Sequence, residues 1–538
     1  MKRKLTLWLA VVMAVMSIGV ASAIAEEAAP TEYTAFAMLN GEYALGDTLA
    51  WKTWEDMFNI HVEIESVLGA DLTEKRNLVL ASGEYPDIFI KAGLGMSDLT
   101  KYGTQGLFVP LEDLIREQMP NLTAILDERD AWEYMMSSDG NIYSLPEVSL
   151  LGGANGSYWI NKKWMDTLGL EEPKSFDELY EVLRAFKTGD PNGNGEADEI
   201  PLFCVSNYEQ LLSYADFAYD AGTKTAVIDG VLTYIPTTDY YKDFLADIAA
   251  LFAEGVLDPN VLTQSSEQQA AIGQSGDVMG SFFDAGAFLT VGRDNDDDYI
   301  ILTPFQEGTY PLTIGVTPGT FVVTDYCENV EPLLAAMDYF YSEEGGILAW
   351  MGVEGETYEI GEDGDWRWIV GNGYGDDVQA VRSSNTIQGA ANHPSIQPDF
   401  WFTNMSAEVD PDEVYLNGER AKAADMGVVP LPMMSYTDEE NEEIATIKTD
   451  VDAYINQYVA QVFTGAVSLE DSWDSYITTL NNMGLERLIE IYQDVYARAI
   501  AEYFHPLASL PGEGGSLSPG YMLLNRKRCF HDQCGERA

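Results

Sequence analysis

The spacing of apolar residues near the start of the chain switches repeatedly between two periods, and this narrows the possible folds more than any other feature. Tyr33 to Leu39 forms a compact apolar run, Gly46 to Phe58 has helical spacing, and Ile60, Val62 and Ile64 alternate with polar neighbours as a strand does. Leu72 to Leu80 is helical again, and Pro86-Asp87-Ile88-Phe89-Ile90 is another short strand. Strands that take turns with helices build a parallel sheet covered on both faces, so the class is α/β. The alternation continues. Ser175-Phe176-Asp177-Glu178 offers a capping box for a helix whose Leu179, Val182, Leu183 and Phe186 share one face. Phe321 to Thr324 is strand-like, Pro332 opens a helix, and Gly345-Gly346 is expected to interrupt the helical pattern. Asp450 to Phe504 is compatible with helix, broken near Gly465 and Gly484.

A chain of 538 residues exceeds one ordinary domain. Its 88 acidic against 29 basic side chains give a formal charge of −59, which repels phosphate backbones, so no nucleic acid partner is expected. Lys2, Arg3 and Lys4, the Leu5 to Val20 run and the small residues up to Ala25 read as a secretory signal peptide over residues 1–25, cleaved after Ala23 or Ala25. Its removal takes three positive charges and leaves −62. No cysteine sits near that region, so no lipid-modified N-terminus is indicated, and the mature protein is expected to be secreted and soluble. The spacing of Cys204, Cys327, Cys529 and Cys534 fits neither a zinc site nor a disulfide framework. Residues 505–538, rich in Gly, Pro and Ser and ending in the basic cluster Arg526-Lys527-Arg528, are expected to add nothing to the fold.

The sharpest chemical motif is Asp190-Pro191-Asn192-Gly193-Asn194-Gly195-Glu196-Ala197-Asp198-Glu199. Calcium takes six to eight oxygens, and an EF-hand-type loop supplies them from positions 1, 3, 5, 7 (a carbonyl) and 9, with glycine at 6 for the turn. Asp190, Asn192, Asn194, Glu196 and Asp198 occupy those places; position 12 is Pro201, so Glu199 is the expected substitute for the bidentate glutamate. Asp294-Asn295-Asp296-Asp297-Asp298 lacks the spaced glycine and reads as a solvated acidic loop. No G-x-S-x-G, H-E-x-x-H or P-loop unit occurs, and with so many carboxylates a pair at glycosidase spacing carries no information. Aromatic residues are the other resource. Trp164 reads as core, whereas Trp366 and Trp401 lie in polar, loop-like surroundings from which a ring could stack on a sugar.

Gly83-Glu84-Tyr85-Pro86-Asp87-Ile88-Phe89, Gly106 to Leu111, Gly140 to Pro146, Tyr158 to Leu170 and Gly352 to Tyr358 together resemble, in order, the extracellular solute-binding proteins of ABC importers, the family 1 carbohydrate-binding type. The resemblance implies a two-lobed, periplasmic-binding-protein-like fold of type II, with discontinuous lobes joined by a hinge: residues 31–152 with 305–370, and 153–304 with 371–504. It implies no enzyme but a monomeric receptor that captures an oligosaccharide and hands it to the permease of an ABC importer; a secreted carbohydrate-active enzyme and a peptide receptor stay open as alternatives. Alginate-oligosaccharide receptors of this family hold calcium in a loop comparable to residues 190–199. A closing cleft draws contacts from both lobes, expected here from Asp87, Trp159, Phe283, Asp284, Trp366 and Trp401. The charge of the chain favours a neutral sugar.

Overall fold

The computed structural model describes residues 29–39, 43–150, 157–205, 208–388, 394–408 and 410–504. The signal-peptide and tail segments lie outside them. In chain order the strands of the two main sheets are β1 (Thr31–Leu39), β2 (Ile60–Leu68), β3 (Ile88–Ile90), β4 (Leu145–Val148), β5 (Ser157–Asn161), β6 (Ser281–Asp284), β7 (Tyr299–Ile301) and β8 (Val316–Val323). Helices that bear on the site are α1 (Leu49–Phe58), α2 (Gly69–Ser82), α3 (Phe176–Gly189), α4 (Glu343–Met351), α5 (Val378–Asn385), α6 (Pro411–Met426), α7 (Asp438–Phe463), α8 (Leu469–Asn482) and α9 (Leu485–Phe504).

The first sheet has the order β2-β1-β3-β8-β4. β1 is parallel to β2 and β3, joined by α1 and α2 as the opening alternation requires, while β8 runs antiparallel between β3 and β4. Period two sends Tyr33, Ala35, Ala37, Ile88, Ile90, Phe321 and Val323 into one core, and Phe36, Phe89 and Val322 into a second cluster on the opposite face. β8 follows a long excursion from β4, so the chain leaves this lobe, builds another and returns. The second lobe holds the antiparallel sheet β6-β5-β7. Tyr158, Ile160, Phe283 and Leu302 face a large core completed by α3 and by Val451, Ile455, Tyr476 and Leu488 of α7, α8 and α9. Trp159, Phe282, Tyr299 and Ile301 face the other side. Val381, Ile387, Trp401 and Met405, all beyond residue 370, pack in the core of the first lobe.

Local chemistry explains two differences from the sequence pattern. The Ser175 hydroxyl caps α3 by accepting from Glu178 N (3.2 Å), but the Glu178 carboxylate accepts from Lys174 N (2.8 Å) and not from the capping residue. Gly345-Gly346 does not break its helix: both residues sit inside α4. A Cβ on Gly345 would lie 1.7 Å from the Tyr339 carbonyl oxygen, and one on Gly346 2.9 Å from that of Ile396, so the glycines permit close backbone approach. Among the described residues no helix is long and apolar enough to cross a membrane, and Cys204 and Cys327 are buried free thiols.

Candidate functional site

Trp159 lies on β5 with its indole on the face opposite the main core of the second lobe, and its Nε1 donates to the Asp284 carbonyl at the end of β6 (3.1 Å). Beside it opens a cavity of about 310 Å³ lined by Gly286 to Phe288, Asp296, Asp297, Tyr299, Ile300 and the first turns of α6, including Asp412 and Tyr415. Pro411 follows the capping Asp410, whose carboxylate accepts from Glu413 N (3.3 Å), and helical spacing then brings Asp412, Tyr415 and Leu416 to the cavity. The Tyr415 ring stands 6.2 Å from that of Trp159, and its hydroxyl accepts from Ile301 N (3.0 Å), tying α6 to β7. Burial pushes the Tyr415 phenol up to about 12, so it stays protonated.

The acidic wall differs from the solvated loop that its composition suggests. Carboxylate oxygens of Asp296, Asp297 and Asp412 lie within 4.8 Å of one another, and Asp296 is buried with Oδ2 lacking a hydrogen bond. Burial first, and the nearby Asp412 charge second, push the Asp296 carboxyl up to about 6, against the pull of Arg293. Arg293 pairs with Asp412, approaches Asp296 Oδ2 at 3.6 Å and lies over the Phe288 ring at 3.8 Å. Rings that can stack on the apolar face of a sugar thus stand beside carboxylates that can accept its hydroxyl protons.

Of the six residues expected to contact a ligand, Trp159 is the one among the lining residues of this cavity; Asp284, at the end of β6, has its carboxylate engaged by Ala285 N (2.7 Å) and Thr290 Oγ1 (2.7 Å). Phe283 turns away. Successive strand residues point to opposite faces, so Phe283 packs on Tyr158 (4.8 Å) in the main core. Asp87 sits at the start of β3 and accepts from both Thr34 N (2.8 Å) and Thr34 Oγ1 (2.7 Å), which fastens β3 to β1. Ligands of parallel sheets gather at the carboxyl ends of strands, and Asp87 is at the amino end. Trp366 and Trp401 are 0% and 1% exposed, 5.2 Å apart, and packed with Trp350 and Trp368 in the core of the first lobe. Phe288, Asp412 and Tyr415 escaped the sequence reading; the Asp-Pro-Asp-Glu helix start at residues 410–413 was the available signal.

The oxygen-rich loop begins where α3 ends, with Asp190 in the left-handed conformation (φ 47°). Gly193 and Gly195 also have positive φ, and Gly195 N donates to Asp190 Oδ1 (3.2 Å). The carboxamides of Asn192 and Asn194 converge on Asp198, with Nδ2 to Oδ1 distances of 3.2 and 3.1 Å. Those contacts, that of Asn194 foremost, hold the Asp198 carboxyl below its ordinary value. Glu199 is 2% exposed, and its Oε1 has no hydrogen-bond partner, while its backbone carbonyl accepts from Lys187 Nζ (2.7 Å). A carboxylate buried with an unpartnered oxygen is what a cation at this loop would satisfy, so the donor set fits an oxygen-seeking ion such as calcium.

Similarity to known proteins extends over most of the chain. Residues 41–347 match the family of bacterial extracellular solute-binding proteins. The fructooligosaccharide ABC transporter substrate-binding protein FusA of Streptococcus pneumoniae is 28% identical over 452 residues, covering 79% of this chain and 82% of that protein. The structure of FusA with kestose superposes with a TM-score of 0.71 at 25% identity, over 88% of this chain and all of that one; another, with the same score, identity and coverage, is an EF-hand mutant with fructo-nystose. The polygalacturonan/rhamnogalacturonan-binding protein YtcQ of Bacillus subtilis is 23% identical over 478 residues, 84% of this chain and 88% of that protein. An HMO-binding solute-binding protein of Bifidobacterium longum infantis shares the fold, with a TM-score of 0.70 at 20% identity over 87% of this chain and 98% of that one. With the family match spanning more than half its length, the chain belongs to the bacterial extracellular solute-binding proteins.

Proposed function

We propose that this protein is an extracytoplasmic receptor that captures a neutral oligosaccharide and delivers it to an ABC importer. The carrying observation is the cavity beside Trp159, where the Tyr415 and Phe288 rings stand next to the carboxylates of Asp297 and Asp412. Rings match the apolar faces of pyranose or furanose units, and fixed acceptors take hydroxyls that would otherwise be desolvated without partners. The sugar ligand in the name of FusA, a relative matched over most of both chains, supports the same reading. Capture needs two lobes that close, and we assign 31–150 with 314–405 to one and 157–312 with 411–504 to the other, following core membership.

Calcium is proposed as a structural ion held by Asp190, Asn192, Asn194, Asp198 and Glu199 side chains and the Glu196 carbonyl. Bound there, it would fasten the end of α3 to the segment after Glu199, which bridges to Met279 and Phe282. A thermal-shift screen with kestose, nystose, a milk tetrasaccharide and trigalacturonate tests the receptor reading. A saturable rise in melting temperature with at least one saccharide, recovered chemically intact after long incubation, is the expected result. Cleaved sugar would instead show a carbohydrate-active enzyme.

A further inference from the structure

α6 spans the two lobes. Val414 packs against the core of the first, Leu416 against the Trp159 cluster and Ala423 against the main core of the second. Glu413, Asn417 and Arg420 share one helical face, being four and three residues apart. At one end of that face the buried Glu413 meets Arg382 of α5 (3.6 Å), and Arg382 lies over the Trp401 ring (5.3 Å) in the first lobe. At the other end Arg420 Nη2 donates to the Ala285 carbonyl (2.8 Å), in the segment that leads into the cavity wall at Gly286. Asn417 sits between these contacts. It is 5% exposed, and neither its carboxamide nitrogen nor its oxygen has a hydrogen-bond partner, so turning the amide over relieves nothing. Arg420 Nε is likewise buried without a partner. Buried amides and guanidinium N–H groups in folded proteins are nearly always paired, and an entire carboxamide left unpaired beside a second orphan donor marks a place built for an added partner.

We propose that Asn417, assisted by Arg420, is the hydrogen-bonding anchor for the hydroxyls of the bound saccharide where the two lobes meet. The inference rests on the receptor reading above. A carboxamide donates and accepts, a guanidinium N–H donates, and a vicinal diol answers both because each hydroxyl can do either.

The test is calorimetric titration of the wild type, Asn417→Leu and Asn417→Ser with kestose, the milk tetrasaccharide and trigalacturonate, with melting temperatures measured without sugar. Asn417→Leu keeps the branching and heavy-atom count of the side chain while removing its polar atoms, and Asn417→Ser provides a smaller replacement if the bulkier leucine variant fails to fold. The expected result is affinity for the neutral sugar reduced at least about tenfold, with a melting temperature unchanged or raised, since an unpaired buried amide has been removed. A folded variant that binds the neutral sugar as tightly as the wild type, or one whose loss of affinity tracks a loss of melting temperature, overturns this inference alone. A wild type that binds no member of the saccharide screen overturns both.

Discussion

Replacing Trp401 by alanine separates a packed ring from a ligand-facing one. The indole is 1% exposed and touches Trp366 at 5.2 Å, Trp350 at 5.5 Å and Trp368 at 6.0 Å between ring centroids. A tryptophan of this kind buries about 200 Å²; at about 25 cal/mol per Å² its removal forfeits about 5 kcal/mol. Trp401 Nε1 has no hydrogen-bond partner, so truncation also removes an unpaired donor and returns about 1 kcal/mol. Partial collapse of the neighbouring rings trims the loss further, and a net destabilisation of about 3 kcal/mol follows, at the low end of measured Trp→Ala changes. Urea unfolding of the sugar-free protein at fixed calcium reads this as a lower midpoint with an unchanged slope. Trp401→Phe keeps most of the packing, drops the unpaired N–H and is expected to stay within about 1 kcal/mol of the parent. A Trp401→Ala protein that unfolds at the parental midpoint yet has lost sugar affinity would refute the placement of this ring in the core and restore it to the ligand.

Chelation should lower the melting temperature: at calcium one hundred times its Kd the ion contributes about 2.7 kcal/mol, and an Asp190→Ala, Asp198→Ala double variant should melt alike in calcium and in chelator. For Asp296 the folded carboxyl stands at about 6, above its ordinary value, so the stability it contributes is complete below about pH 4 and is lost as pH rises through about 6. Asp296→Asn should therefore be more stable than the parent at pH 8, with the advantage shrinking in urea titrations as pH falls through about 6; a constant difference across that range would contradict the burial argument. Gly345→Ala should destabilise the first lobe by about 2 to 3 kcal/mol, since its methyl would overlap the Tyr339 carbonyl; a parental melting temperature would show that the approach is looser.

Much of the architecture is legible in the sequence because parallel sheets with crossover helices force apolar period to alternate, and β1, α1, β2, α2 and β3 do so in order. The oxygen-rich loop at residues 190–199 is legible because the spacing of its side-chain oxygens is local. What escapes is whatever depends on facing. Phe282 and Phe283 are adjacent, yet one faces the Trp159 cluster and the other the main core. Trp366 and Trp368 share one face of a three-residue strand and the half-buried Arg367 takes the other, so their polar surroundings in sequence concealed a buried pair. Asp87 has the composition of a ligand contact, but its Thr34 partner lies 53 residues away and is brought to it by the sheet. Nothing local to Glu413, Asn417 and Arg420 marks their helical face as covered; the packing of α6 between the lobes buries the first two and half-buries the third.

The central claim, that the chain captures an oligosaccharide without altering it, is tested most directly by isothermal titration of the calcium-loaded protein with the saccharide screen, followed by chromatography of the recovered ligand. The expected result is a saturable isotherm near one sugar per chain for a neutral oligosaccharide, weakened at least about tenfold by Tyr415→Ala through loss of an exposed ring in the cavity wall, with every sugar molecule recovered intact. Binding of the neutral sugar that survives Tyr415→Ala undiminished, the absence of binding to any saccharide, or the appearance of shortened products would contradict it.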